Sequence, residues 1–203
     1  FDEGDYGTPE RDWDDTVLTV GAFARPIEAC QSVGAESWGY RADEDYYTPA
    51  HLIGSIDRYL AKGANYLLNV GPQPDGRIGE ESAARLRACG AWYRHVREAL
   101  ADAEPLPACI DHAGVLATRR DNTLYLHLNP SPITTGFSLK PLRTLPRRAT
   151  ILNTGAPADL TLDVLPSQWG ENVPYLHLRH LPVARAAEET LVVKLEYDDW
   201  PLC

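Results

Sequence analysis

The stretch Ala64-Asn-Tyr-Leu-Leu-Asn-Val70, stopped at once by Gly71-Pro72, decides the reading of the fold. It is short and mostly apolar without strict alternation, which is how a strand covered on both faces reads, as in a parallel sheet. Just before it, Thr48 is a good N-cap, Pro49 suits the first helical position, and Leu52, Ile53, Ile56 and Leu60 recur at helical spacing. Gly63 can serve as the residue that closes this helix. Just after it, Gln73-Pro-Asp-Gly76 is a turn, and a second helix is expected from about Glu80 to Leu100. Leu86, Trp92 or Tyr93, Val96 and Leu100 would line one side of that helix, with Glu80 and Glu81 at the end where the helix dipole favours them. Helix, strand and helix on short connections make an α/β unit, and about 100 residues are too few for a complete eightfold barrel.

The character changes near Asp102-Ala-Glu-Pro-Leu-Pro-Ala108, a polar, proline-bearing stretch that reads as a linker. Beyond it Thr123-Leu-Tyr-Leu-His-Leu-Asn129 alternates strictly, with Leu124, Leu126 and Leu128 on one face and Tyr125 and His127 on the other. Val115 to Thr118, Ala149 to Leu152, Leu160 to Leu165, Tyr175 to Leu178 and Leu191 to Tyr197 repeat the theme between Pro, Gly and Asn. The fold class expected is α/β followed by all-β: residues 1–104 the α/β part, residues 105–203 an antiparallel β-sandwich.

The chain of 203 residues carries a net charge of −10, which argues against a nucleic-acid partner because phosphate binding needs clustered Lys and Arg. No apolar run approaches the roughly 20 residues that span a bilayer. The chain begins at Phe1 and contains no Met, and it reads as a fragment of a longer protein. Cys30, Cys89, Cys109 and Cys203 lie far apart with no CxxC pair, which argues against a zinc site. The even count permits disulfides, but so long a chain does not need them, and buried or incidental thiols are expected. His112, His127, His177 and His180 read as outward-facing strand histidines.

Chemistry concentrates at the start. The first 50 residues hold 12 Asp or Glu against 3 Arg, interleaved with Tyr6, Trp13, Phe23, Trp38, Tyr40, Tyr46 and Tyr47. Rings pack on the C–H face of a pyranose, and carboxylates bind hydroxyls or act on the glycosidic oxygen. Composition alone leaves a sugar site, solvated loops and a calcium site as alternatives.

Four motifs in order then carry a resemblance: Gly4-Asp-Tyr-Gly-Thr-Pro-Glu-Arg11, Pro26-Ile-Glu-Ala-Cys30, Ser37-Trp-Gly-Tyr40 and Gly63-Ala-Asn-Tyr-Leu-Leu-Asn-Val-Gly-Pro72. They resemble the retaining α-L-fucosidases, a glycoside hydrolase family that usually reads GDYGTPE, PWETC, SWGY and GGNxLLNVGP. A DG turn and a GxW helix pattern follow in the family, as Asp75-Gly76 and Gly90-Ala-Trp92 do here. The resemblance covers residues 1 to about 100. It implies that this part is the end of a (β/α)8-type catalytic barrel, whose missing N-terminal half carries the nucleophilic Asp, and that no cofactor or metal is needed.

The resemblance also implies a double-displacement mechanism, in which one carboxylate attacks the anomeric carbon and another serves as acid and then base. The acid/base maps onto Arg41-Ala-Asp-Glu-Asp45, with Glu44 chosen because the family often places a Glu four residues after the Tyr; Asp43 and Asp45 are the alternatives. Trp38 and Tyr40 are candidates for the pocket wall or for the core, Glu28 for an orienting or a local capping role, and Asn69 for a site or a loop-holding amide. Ile27, Gln31, Ala64 and residues 93–99 depart from the family pattern. The implied partner is a fucosylated oligosaccharide or glycoconjugate, in a secreted, periplasmic or lysosomal setting. The competing functions are a non-catalytic or inactive homologue and a calcium-stabilised acidic module.

Overall fold

The computed structural model describes residues 5–11, 26–106, 110–112, 114–129, 132, 134–164 and 172–200. Trp13, Phe23, Cys109, Cys203 and the first residue of the opening motif lie outside them.

Strand β1 (Glu28–Ser32) and β2 (Asn65–Asn69) pair in parallel, Glu28 opposite Asn65 and Ser32 opposite Asn69. Helix α1 (Pro49–Ala61) crosses between them. It forms where expected: the Thr48 hydroxyl accepts from His51 N at 3.2 Å, and Gly63 takes the left-handed φ of 82° just past its end. One face of β1 and β2 packs on α1, through Ala29 and Tyr66 against Tyr59. Leu67, on the other face, is 45% exposed, so among the described residues the strand read as covered twice is covered once.

Helix α2 (Glu80–Val96) ends earlier than expected and tightens into a 3₁₀ turn, Arg97–Ala99. Cys89, Trp92 and Val96 face inward, whereas Leu86 stays outside, 37% exposed. Trp92 Nε1 donates to Thr190 O at 2.9 Å, which ties this helix to the β-domain.

That domain has two sheets. The larger runs in the order β3 (Glu104–Pro105), β4 (Val115–Arg120), β5 (Thr123–Leu128), β11 (Leu191–Glu196), β7 (Arg148–Ile151) and β8 (Ala156–Pro157). The smaller is β6 (Phe137–Leu139), β10 (Pro174–Arg179) and β9 (Asp159–Val164). Every pairing within them is antiparallel. β3 grows out of the stretch read as linker, because its backbone finds an open edge beside β4. Leu124, Leu126, Leu128, Val193 and Leu195 meet Leu139, Leu176 and Leu178 of the smaller sheet.

The opposite face of the larger sheet is not solvated. Tyr125 and Val192 pack there with Leu52, Ile53, Trp92 and Val96 of the two helices. His127 therefore corrects the outward-facing expectation: it is fully buried, its Nδ1 2.6 Å from Asp57 Oδ1 of α1. His177 lies half-buried on β10, whereas His112 and His180 are exposed but stand outside the strands, His112 before β4 and His180 just past the end of β10.

Candidate active site

Residues 7–10 extend the parallel pair. Gly7 bridges Ile27 and Glu10 bridges Cys30, both in the parallel sense, and Arg11 N donates to Cys30 O at 2.8 Å. The order is residues 7–10, β1, β2, so Glu10–Arg11, Ser32 and Asn69 end up at one edge. This carboxyl edge is where parallel β/α folds place their chemistry, because the loops that follow the strands converge there. Glu28, Cys30 and Ser32 share a face with Asn65, Leu67 and Asn69, turned away from α1, and Glu10 stands level with Cys30. The electrostatics agree: burial first, then Glu28 and Glu10, push the Cys30 thiol above its ordinary range. Glu28 sits at the far end of its strand from the rim. Gln31 is buried on the opposite, helix-facing side.

The loop after β1 closes on itself. Ala35 N donates to Asp45 O at 2.7 Å, Tyr47 N to Val33 O at 3.1 Å, and Gly34 bridges Tyr46. Glu44 is turned into this loop, where its Oε1 accepts from Glu36 N at 2.8 Å and Ser37 N at 3.4 Å. Its Oε2 is buried without a hydrogen-bond partner. Gly34 leaves the room it occupies, since a Cβ there would lie 2.8 Å from the Glu44 carboxyl carbon. Asp43 is exposed and reaches Arg41 at 3.3 Å, and Asp45 is exposed. Arg41 also pairs with Glu36.

Trp38 and Tyr40 stand at the rim, 38% and 39% exposed, rather than in the core. Asn69 Nδ2 donates to Trp38 O at 2.8 Å and to Ser32 Oγ at 3.3 Å, so its amide holds the loop. Glu10, the last residue of its strand segment and exposed, was not singled out from the sequence. Its signal was its place in the first motif, which only the pairing with β1 turns into a strand end.

Gly71 presses on this loop from the next one. A Cβ there would sit 2.4 Å from Gly39 C and Tyr40 N, so only glycine lets the two backbones touch. Gly71→Ala is expected to cost about 1–3 kcal/mol in urea unfolding, as overpacking does. Gly39→Ala is the control: its Cβ would meet nothing nearer than Ser37 Oγ at 3.9 Å, and its stability should stay near that of the parent.

Among the described residues no group of three or more His, Cys, Asp or Glu could hold a metal ion, and no helix is long and apolar enough to cross a membrane. Carboxylates and exposed aromatic rings at the carboxyl edge of parallel strands, backed by an antiparallel β-domain, are features of the glycoside hydrolase class. Within it the chain belongs to the α-L-fucosidase family, whose model matches residues 1–98. The tissue α-L-fucosidase of Bos taurus is 33% identical over 147 residues, 70% of this chain and 31% of that protein. The structure of α-L-fucosidase isoenzyme 1 from Paenibacillus thiaminolyticus is similar with a TM-score of 0.74 and 26% identity, over 97% of this chain and 46% of that one. An α-L-fucosidase from Bacteroides thetaiotaomicron, captured as a covalent intermediate using a Glu-to-Gln mutant, gives a TM-score of 0.66 and 25% identity, over 95% and 43%. The chain thus spans less than half the length of each of these relatives.

Proposed function

We propose that this chain is part of an exo-acting, retaining α-L-fucosidase that releases terminal α-L-fucose from glycans or glycoconjugates. Residues 7–10, β1 and β2 would be the last strands of its (β/α)8 barrel, and residues 105–203 the β-domain behind it. The observation that carries the reading is the carboxyl edge itself, where family motifs bring Glu10, Trp38 and Asn69 to three adjacent strand ends. The open face holding the exposed Leu67 supports a barrel continued by strands from the rest of the protein, which would also supply the nucleophilic Asp.

Trp38, with Tyr40 beside it, would wall the sugar pocket, and Glu28 would act on the substrate only through its neighbours, being at the inner end of its strand. The covalent intermediate caught in the Bacteroides relative with a Glu-to-Gln mutant supports a glutamate as acid/base, which weighs against Asp43 and Asp45. Two glutamates then compete. Glu44 is the family-based choice, but both its oxygens are engaged or buried in the loop. A general acid needs an oxygen within reach of the substrate. Glu10, exposed at its strand end, answers that requirement better, with Glu44 bracing the loop.

Retention is tested on the full-length protein by NMR of the first sugar released from 4-nitrophenyl α-L-fucoside. α-L-Fucose should appear first and mutarotate afterwards. The β-anomer appearing first would overturn the double displacement, and fucose binding without turnover would support the inactive-homologue reading.

A further inference from the structure

Arg11 directly follows Glu10 and takes a left-handed backbone, φ 56°, which a non-glycine residue holds only where its surroundings fix it. They do. Its N–H donates to Cys30 O, and its side-chain Nη1 donates to Ala35 O at 2.6 Å, with Gly34 O at 3.4 Å. The same guanidinium lies over the Trp38 ring, 4.8 Å from its centroid. From the other flank, Asn69 holds the Trp38 carbonyl. The rim tryptophan of the β1 loop is therefore fixed from both flanks, its ring by the residue that follows one neighbouring strand segment and its backbone by the last residue of the other strand.

We propose that Arg11 is a positioning residue for sugar recognition: it covers one face of Trp38 and so presents the other to the apolar face of the fucose ring. This rests on the fucosidase reading above. The planar guanidinium suits the task, since such a group can lie over an indole while its N–H groups reach carbonyls at its edge. A lysine keeps the charge beside Glu10 but has neither the plane nor the fork.

The test uses the full-length protein, 4-nitrophenyl α-L-fucoside, and the variants Arg11→Ala, Arg11→Lys, Trp38→Ala and Arg11→Ala/Trp38→Ala. Arg11→Ala should raise KM about tenfold, the size of losing a partly desolvated cation–π contact and its attached hydrogen bonds, with kcat changed much less. Arg11→Lys should follow Arg11→Ala in KM, which separates the hold on Trp38 from any charge effect on Glu10. The double variant should be no worse than Trp38→Ala alone, because Arg11 acts through that ring. Acrylamide quenching of the Trp38 component, wild type minus Trp38→Phe, should rise in Arg11→Ala. Losses that multiply, an unchanged KM or unchanged quenching would overturn the proposal. If the wild type turns over no fucoside, the functional reading falls instead, and the quenching measurement alone decides whether Arg11 holds the ring.

Discussion

Glu10→Ala in the full-length protein is expected to slow hydrolysis of natural fucosides by about two to four powers of ten, the loss typical of removing general acid catalysis. Aryl fucosides with acidic phenols need no proton on the leaving oxygen, so their first step should lose little. Hydrolysis of the glycosyl-enzyme still needs the base, so the intermediate should accumulate, and azide, attacking without base assistance, should restore turnover as fucosyl azide. Glu44→Ala is expected to behave differently. It leaves the amides of Glu36 and Ser37 without their acceptor and opens a void beside Gly34, so the loop carrying Trp38 loosens. Both substrate classes should then suffer alike, with lower stability and no help from azide. Azide rescue of Glu44→Ala but not of Glu10→Ala would reverse the two roles. Rescue of Asp43→Ala or Asp45→Ala would return the acid to the exposed part of the triplet, and rescue of none would place it outside these loops.

How these roles were legible in the sequence differs residue by residue. The strand at β2 was readable because its apolar run ends on Gly71-Pro72, and α1 because Thr48 and Pro49 carry local cap chemistry; both signals are written within a few residues. The strand at residues 7–10 was not, since Gly7, Pro9 and Glu10 have poor strand propensity and only pairing with β1 makes the segment extended. Glu10 stayed hidden for the same reason: its importance lies in ending that strand. Glu44 drew notice through its spacing from Tyr40, but spacing does not tell which way a loop carboxylate turns. Asn69 reads from the sequence as either a site amide or a loop-holding one, and the structure shows its amide on the Trp38 carbonyl of the β1 loop. His127 is the instructive case. Alternation put it on the face opposite Leu126, correctly, while the covering of that face by α1 depends on residues 70 positions away in the chain.

That covering sets the second large effect, expected for Asp57→Ala. Asp57 and His127 are both fully buried, one on α1 and one on β5, so they join the α/β part to the β-domain. The polar accounting there is complete. Thr118 gives its single hydroxyl proton to Ala99 O at 2.7 Å, so its oxygen receives the His127 Nε2 proton at 3.0 Å. His127 Nδ1 shares a proton with Asp57 Oδ1, and Asp57 Oδ2 accepts from Asn129 Nδ2 at 3.1 Å. Removing the carboxylate leaves the Nδ1 group buried without its partner, a loss of about 3–5 kcal/mol for a broken buried pair. Asn129 loses less, because its amide keeps Gly54 O at 2.7 Å. His127→Leu should cost a similar amount by leaving the buried Asp57 Oδ1 without its hydrogen-bond partner. The double variant Asp57→Leu/His127→Leu should cost less than either single change, since Thr118 still has Ala99 O and no ionisable group is left without its partner. Urea unfolding of the four proteins checks this as a double-mutant cycle. Strictly additive losses would mean that the two side chains contribute by packing alone and that no polar latch joins the two parts.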